Sequence, residues 1–198
     1  MPEIIKPLVL NKEVADIIAD MKQFGVLCNL DDHRLDDHRP AAMVSCSDGL
    51  YADDLRERHR GLKMKSGLCS QPLLHNLAWH GGALALAHNS PLNSHLCEDE
   101  VFFSQVTKAY KLGYTAIPLY AHVPCKAANA CNLGFWQLMH TLMAAKTRVK
   151  LIGADVVASA FLHIDYGHAL DAAWVNREAW VEWAVKRVKM KDIVPIAA

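Results

Sequence analysis

Ala41-Ala42-Met43-Val44-Ser45-Cys46-Ser47-Asp48-Gly49 opens apolar and closes on small polar residues. That is the pattern of a buried parallel strand reaching its carboxyl edge, where Ser47-Asp48-Gly49 turns the chain. Working outward, residues 73–79 read as a second strand ending in His80-Gly81-Gly82. Residues 115–122 form a third strand, and 156–164, rich in β-branched side chains and turned by Tyr166-Gly167, form a fourth. Pro118 lacks an amide hydrogen and predicts an edge or a bulge in the third strand.

Helical periodicity fills the intervals. Residues 10–24 place Leu10, Val14, Ile17, Ile18 and Met21 at three- and four-residue steps, with Asn11 as N-cap and Gly25 as stop. Residues 51–60 form a charged helix, 98–112 an amphipathic one stopped at Gly113, 126–146 one long helix, and 176–189 a closing helix. Strands alternating with helices predict an α/β fold, a single domain over 1–198 with a mostly parallel central β-sheet flanked by helices. Its parts are an N-terminal helix at 10–24, a motif-bearing core at 41–168 and a C-terminal helix at 176–189. The segment 31–39 repeats Asp-Asp-His-Arg and reads as a solvated loop or short helical turn, since charge runs of this kind usually face water.

Composition narrows the function classes. Hydrophobic residues make up 52% of the 198 and charged ones 21%, and the formal net charge is +0. Nucleic acid and anionic membrane are therefore not expected partners, because such binding rests on basic surface that releases counterions. Disorder is excluded by the apolar content, and the apolar excess points to a surface buried against another subunit. The start lacks a charged region followed by an apolar one, and no run is long enough for a membrane span, so a cytoplasmic protein is expected. The six cysteines are then read as thiols or metal ligands rather than three disulfides.

Two strand ends carry the chemistry. Cys46-Ser47-Asp48 closes the first strand and His122-Val123-Pro124-Cys125 the third. In open parallel sheets reactive groups collect at the carboxyl ends of strands, so the two can meet in space. Two thiolates and an imidazole suit Zn2+, and three protein ligands leave a fourth tetrahedral position open. The same residues also fit two buried structural cysteines and a hydrogen-bonded histidine.

Cys46-x-Asp48, then Gly81-Gly82-Ala83-Leu84, an amphipathic helix, His122-x-x-Cys125, and the strand Phe161-Leu162-His163-Ile164-Asp165-Tyr166-Gly167 together resemble the β-class carbonic anhydrases. The resemblance spans 41–168. It implies Zn2+ held by Cys46, His122 and Cys125, with water or hydroxide as fourth ligand, catalysing hydration of CO2 to bicarbonate in a homodimer or larger symmetric assembly. It further implies that Asp48 accepts a hydrogen bond from the nucleophile and is kept off the metal by an Arg two residues later. Here that position is Leu50, and the usual Gly after the second cysteine is Lys126. The replacement cation is expected among Arg56, Arg58 or Arg60, or Arg34 or Arg39. Two other readings share the site: hydrolysis of COS or CS2, and a zinc-binding protein without turnover, which Leu50 and Lys126 favour.

Around this constellation, His80, Gly81 and Gly82 are candidate pocket residues, because small residues let backbone approach closely. His75, His88, His95, His163 and His168 are possible proton carriers. Cys131 is read as a small core hydrophobe, and Cys28, Cys69 and Cys97 as ordinary thiols. Trp174, Trp180 and Trp183 are expected to pack the last helix onto the body or a partner subunit. No phosphate loop, dinucleotide turn or nucleophile elbow is present.

Overall fold

The structure is a computed structural model and describes residues 8–30, 40–48, 51–65, 74–93, 95 and 97–188. Six strands, β1 (Leu27–Asn29), β2 (Ala41–Cys46), β3 (Leu74–Trp79), β4 (Ala116–Val123), β5 (Val157–Asp165) and β6 (Leu170–Val175), form one sheet in the order β1-β6-β5-β4-β2-β3. The four strands expected from the apolar runs make its parallel part, β3-β2-β4-β5. Parallel neighbours need long crossovers. These are α2 (Ala52–Lys65), a short 3-10 helix (Gly82–Leu86) with α3 (Glu98–Lys111), and α4 (Lys126–Ala130) with α5 (Phe135–Lys150). Past the turn at Tyr166-Gly167 the chain adds β6 antiparallel to β5, and β1 pairs antiparallel with β6. The Ala-rich run of β6 carries little hydrophobic contrast, so alternation alone did not single it out.

Side-chain alternation divides the core into two. Val44, Leu119, Ala121, Val123, Leu162 and Ile164 join the larger cluster, which takes in Ile18 and Met21 of α1 (Lys12–Gln23), the buried residues of α5, and Trp180 and Trp183 of α6 (Arg177–Val188). Each fully buried aliphatic or Phe side chain there contributes about 2 kcal/mol. Met43, Tyr120 and Phe161 point to the opposite face, where Leu55 of α2 covers them. Asn11 caps α1 as its sequence suggests, its Oδ1 accepting from the Val14 amide at 2.8 Å.

Several expectations are corrected. Pro118 lies in β4, an interior strand, and not at an edge. Registered pairs with β2 are confined to Ala41 with Ala116 and Val44 with Leu119, so the ladder skips the level of Pro118, which has no amide hydrogen to give. The long helix at 126–146 is two helices: Asn132 takes a left-handed φ of 54°, and the Gly134 amide donates to Gln137 Oε1 at 2.8 Å to start α5. Trp174 stands on β6 against the smaller cluster, away from the tryptophans of the last helix. The charge run 31–39, with Arg34 and Arg39, and also Leu50 and Cys69, lies outside the described residues.

Candidate metal centre

Three side chains from the two strand ends meet at the carboxyl edge of the parallel strands. Cys46 ends β2, His122 lies next to last in β4, and Cys125 follows β4 immediately before α4. Both sulfurs and a ring nitrogen of His122 lie within 4.8 Å of one another. The residues are 7%, 4% and 3% exposed in the order Cys46, Cys125, His122, so water cannot serve as their general partner.

The histidine is oriented by its own strand end. His122 Nδ1 lies 3.0 Å from the Pro124 carbonyl oxygen. A carbonyl can only accept, which puts the proton on Nδ1 and leaves the Nε2 lone pair as the available ligand. Nε2 is buried without a hydrogen-bond partner. An unpaired buried polar atom costs about 1–3 kcal/mol, which a cation at this point would offset. The thiols are prepared in the same sense. Cys46 is pushed below the ordinary thiol range, chiefly because the Cys125 thiol donates to its anion, while burial opposes the shift. Cys125, as that donor, is pushed up. The donor set fits a zinc ion: two sulfurs, one imidazole and no fourth protein ligand in the group.

Asp48 stands beside this group, not within it. Its amide donates to Cys46 Sγ at 3.5 Å, and its carboxylate Oδ2 lies 3.9 Å from Lys126 Nζ. Of the arginines expected to face it, Arg56 pairs with Asp53 at 3.4 Å, while Arg58 donates to Asp54 at 2.8 Å and to the Leu170 carbonyl at 3.0 Å. Among the described residues, the cation that pairs with Asp48 is Lys126 at the start of α4, a residue whose sequence context marked it only as a departure.

His80 is exposed, and its Nδ1 lies 3.2 Å from Ser47 Oγ, next to Cys46. Gly81 and Gly82 both have positive φ. A Cβ on Gly82 would lie 2.6 Å from the Cys46 amide nitrogen and 2.9 Å from the Tyr120 carbonyl oxygen, so this turn passes directly against the ends of β2 and β4. On the α4–α5 side, a cavity of about 530 Å³ reaches Pro124 and Cys125 and is lined by apolar residues including Leu10, Leu133 and Phe135 together with polar Asn11, Glu13 and Asn129.

Sequence reasoning missed Tyr51 and Asp54, which complete a layer behind His122. The Tyr51 ring packs against His122 and His163, with centroids 4.9 and 5.1 Å away, and its hydroxyl donates to Asp165 Oδ2 at 2.8 Å. Burial, then the bond to Asp165, raises the Tyr51 hydroxyl pKa and keeps it protonated. His163 is fully buried and meets Asp54 through Nε2 at 2.8 Å. Burial pushes its pKa down despite that carboxylate. The available signal was the two-residue alternation of β5, which puts His163 and Asp165 on the face that carries His122. A second histidine-carboxylate group, His88, Asp99 and Glu100, is occupied by Arg148, which pairs with both acids.

No family model matches the chain, and no curated protein matches it. Among solved structures, the crystal structure of carbonic anhydrase from Streptococcus mutans aligns at 18% identity with a TM-score of 0.43, covering 85% of this chain and 100% of that one. A likeness that distant carries no argument about activity, and function rests on the side chains.

Proposed function

We propose that this protein is a zinc-dependent lyase of carbonic-anhydrase type that interconverts CO2 and bicarbonate, with Cys46, His122 and Cys125 as metal ligands. The observation that carries the reading is the buried, unpartnered Nε2 of His122 facing two buried thiols. Zinc bound there would supply Lewis acidity that makes a nucleophile of water near neutral pH.

The chain's own residues do the rest. Cys46 and Cys125 as thiolates offset much of the cation's charge, so acidity at the centre depends on neighbouring hydrogen bonds. Asp48 accepts a hydrogen bond from the attacking water and orients it. The Pro124 carbonyl fixes the His122 tautomer, and the Tyr51 ring closes the side of the centre toward β5. A neutral chain suits a small uncharged substrate that needs no steering.

A cytoplasmic homodimer or larger symmetric oligomer belongs to the same proposal. Exposed Val101, Leu112, Leu151, Val181 and Val185 agree with an apolar contact, and among the described residues no helix is long and apolar enough to cross a membrane.

Metal analysis followed by stopped-flow CO2 hydration tests the reading. About one equivalent of zinc is expected, lost in Cys46→Ser and Cys125→Ser, with hydration well above that of the metal-free protein. Less than about half an equivalent, unchanged by either substitution, overturns the metal assignment. A full equivalent with hydration equal to the metal-free sample leaves a zinc protein without this turnover.

A further inference from the structure

Resting on the zinc reading above, we infer that Lys126 is the positioning residue that holds the Asp48 carboxylate out of the metal's fourth coordination position. Asp48 is two residues beyond Cys46, and its amide already hydrogen-bonds the Cys46 sulfur. A carboxylate that close is a ready zinc ligand, and its coordination would complete a closed four-ligand set of the kind found in structural sites. Yet the carboxylate lies outside the group of converging ligand atoms, with Oδ2 3.9 Å from Lys126 Nζ. The side chain of Asp48 is 20% exposed, sheltered enough for a cation at that range to bias its direction.

Two arginines of α2 that could have faced Asp48 are engaged elsewhere. Arg56 and Arg58 serve Asp53, Asp54 and the Leu170 carbonyl along α2. Lys126 follows Cys125 directly, so its pair with Asp48 also links the two thiol-bearing turns across the strand ends. An ammonium is a point charge and lacks the planar fork that grips a carboxylate through two bonds. The hold is therefore softer than a guanidinium's, and Asp48 stands near the balance between facing the lysine and facing the metal. Lys126 is 43% exposed, which makes it a safe position to alter without loss of the fold.

Cobalt(II) is the probe, replacing zinc in the full-length protein, with chelator competition reporting zinc affinity. The wild type is expected to show a visible spectrum that shifts with pH, as an open centre does. Lys126→Met should lose that shift and hold zinc about tenfold more tightly, because Asp48 closes the centre. Lys126→Arg should restore the shift, and so should Asp48→Asn added to Lys126→Met. A Lys126→Met protein with the wild-type spectrum, pH response and zinc affinity overturns the inference while leaving the zinc reading intact. A wild type that takes up neither cobalt nor zinc overturns that reading, and the inference with it.

Discussion

The ring of Tyr51 lies 4.9 Å from the ring of His122, tilted by 50°, while its hydroxyl is tied to Asp165 at 2.8 Å. A side chain clamped at one end and packed at the other restricts the imidazole it touches. Tyr51→Ala should lower stability by about 3 kcal/mol through the cavity it leaves, and weaken zinc binding roughly tenfold by freeing His122. Tyr51→Phe keeps the ring and should cost about 1 kcal/mol, with metal affinity unchanged. Denaturant midpoints and chelator titrations separate the two effects; equal zinc affinity in all three proteins would show that Tyr51 does not steady the ligand.

Metal should couple to folding, because the three proposed ligands come from two strand ends that are assembled only in the folded chain. With free zinc at about a thousand times its Kd, the native state gains about 4 kcal/mol, which for a chain of this size raises Tm by about 10 °C. The rise should vanish in His122→Ala and Cys125→Ser, as read by thermal melts with buffered zinc and with chelator.

Arg148 joins α5 to α3 and to the 3-10 helix, donating to Asp99 at 2.8 Å and to the Leu86 carbonyl at 3.0 Å, and also pairing with Glu100. Arg148→Met is expected to cost about 2 kcal/mol, since it strands carboxylates it now satisfies.

The same contact predicts an acid response. Burial works to raise the Asp99 pKa, but the Arg148 guanidinium outweighs it and holds the carboxyl below its ordinary 3.8. A depressed native pKa means the unfolded chain binds more protons across that window, so this stability is complete above the unfolded pKa and is lost as pH falls below 3.8. Asp54, held down by Arg58 and His163 against the effect of burial, acts in the same direction. Urea midpoints measured down through pH 4 should fall less steeply for Arg148→Met than for the wild type, at about the pH where a free carboxyl titrates.

Gly82 and Gly25 both have positive φ, 58° and 79°, but in different surroundings. An added Cβ at Gly25 meets nothing within 4 Å, so Gly25→Ala should cost only the left-handed strain, about 1 kcal/mol. At Gly82 the same atom would lie 2.6 Å from the Cys46 amide nitrogen, and Gly82→Ala should cost about 3 kcal/mol or more while displacing a proposed metal ligand. Parallel measurement of stability and zinc content tests both, and equal losses at the two positions would refute the crowding argument.

What the residues disclosed in advance were features with strong local signatures. Buried parallel strands are continuous apolar runs, and Ser47-Asp48 and Val123-Pro124 mark where two of them stop, so the meeting of Cys46, His122 and Cys125 could be anticipated from type and order. Features decided by long-range pairing could not. Pro118 reads as an edge residue by its chemistry, yet β4 is interior because a ladder can skip one level when the other side of the strand is fully paired with β5. The pattern over 126–146 reads as one helix because it tolerates a polar residue at Asn132, whereas the left-handed backbone of Asn132 ends α4 there. Tyr51 and Asp54 carry no motif, and their place behind His122 follows from how α2 crosses the sheet.

The break between α4 and α5 matters for where a charge can stand. Successive residues of an unbroken helix are turned by about 100° each, so Lys126 on one rigid rod with Leu138, Met139 and Leu142 would aim wherever packing of that apolar stripe sent it. Cut off at Asn132, the single turn that bears Lys126 takes its heading from the end of β4 instead. Repacking the core under α5 can then proceed without re-aiming the ammonium, and changes at the mouth of β4 can re-aim it without disturbing the core.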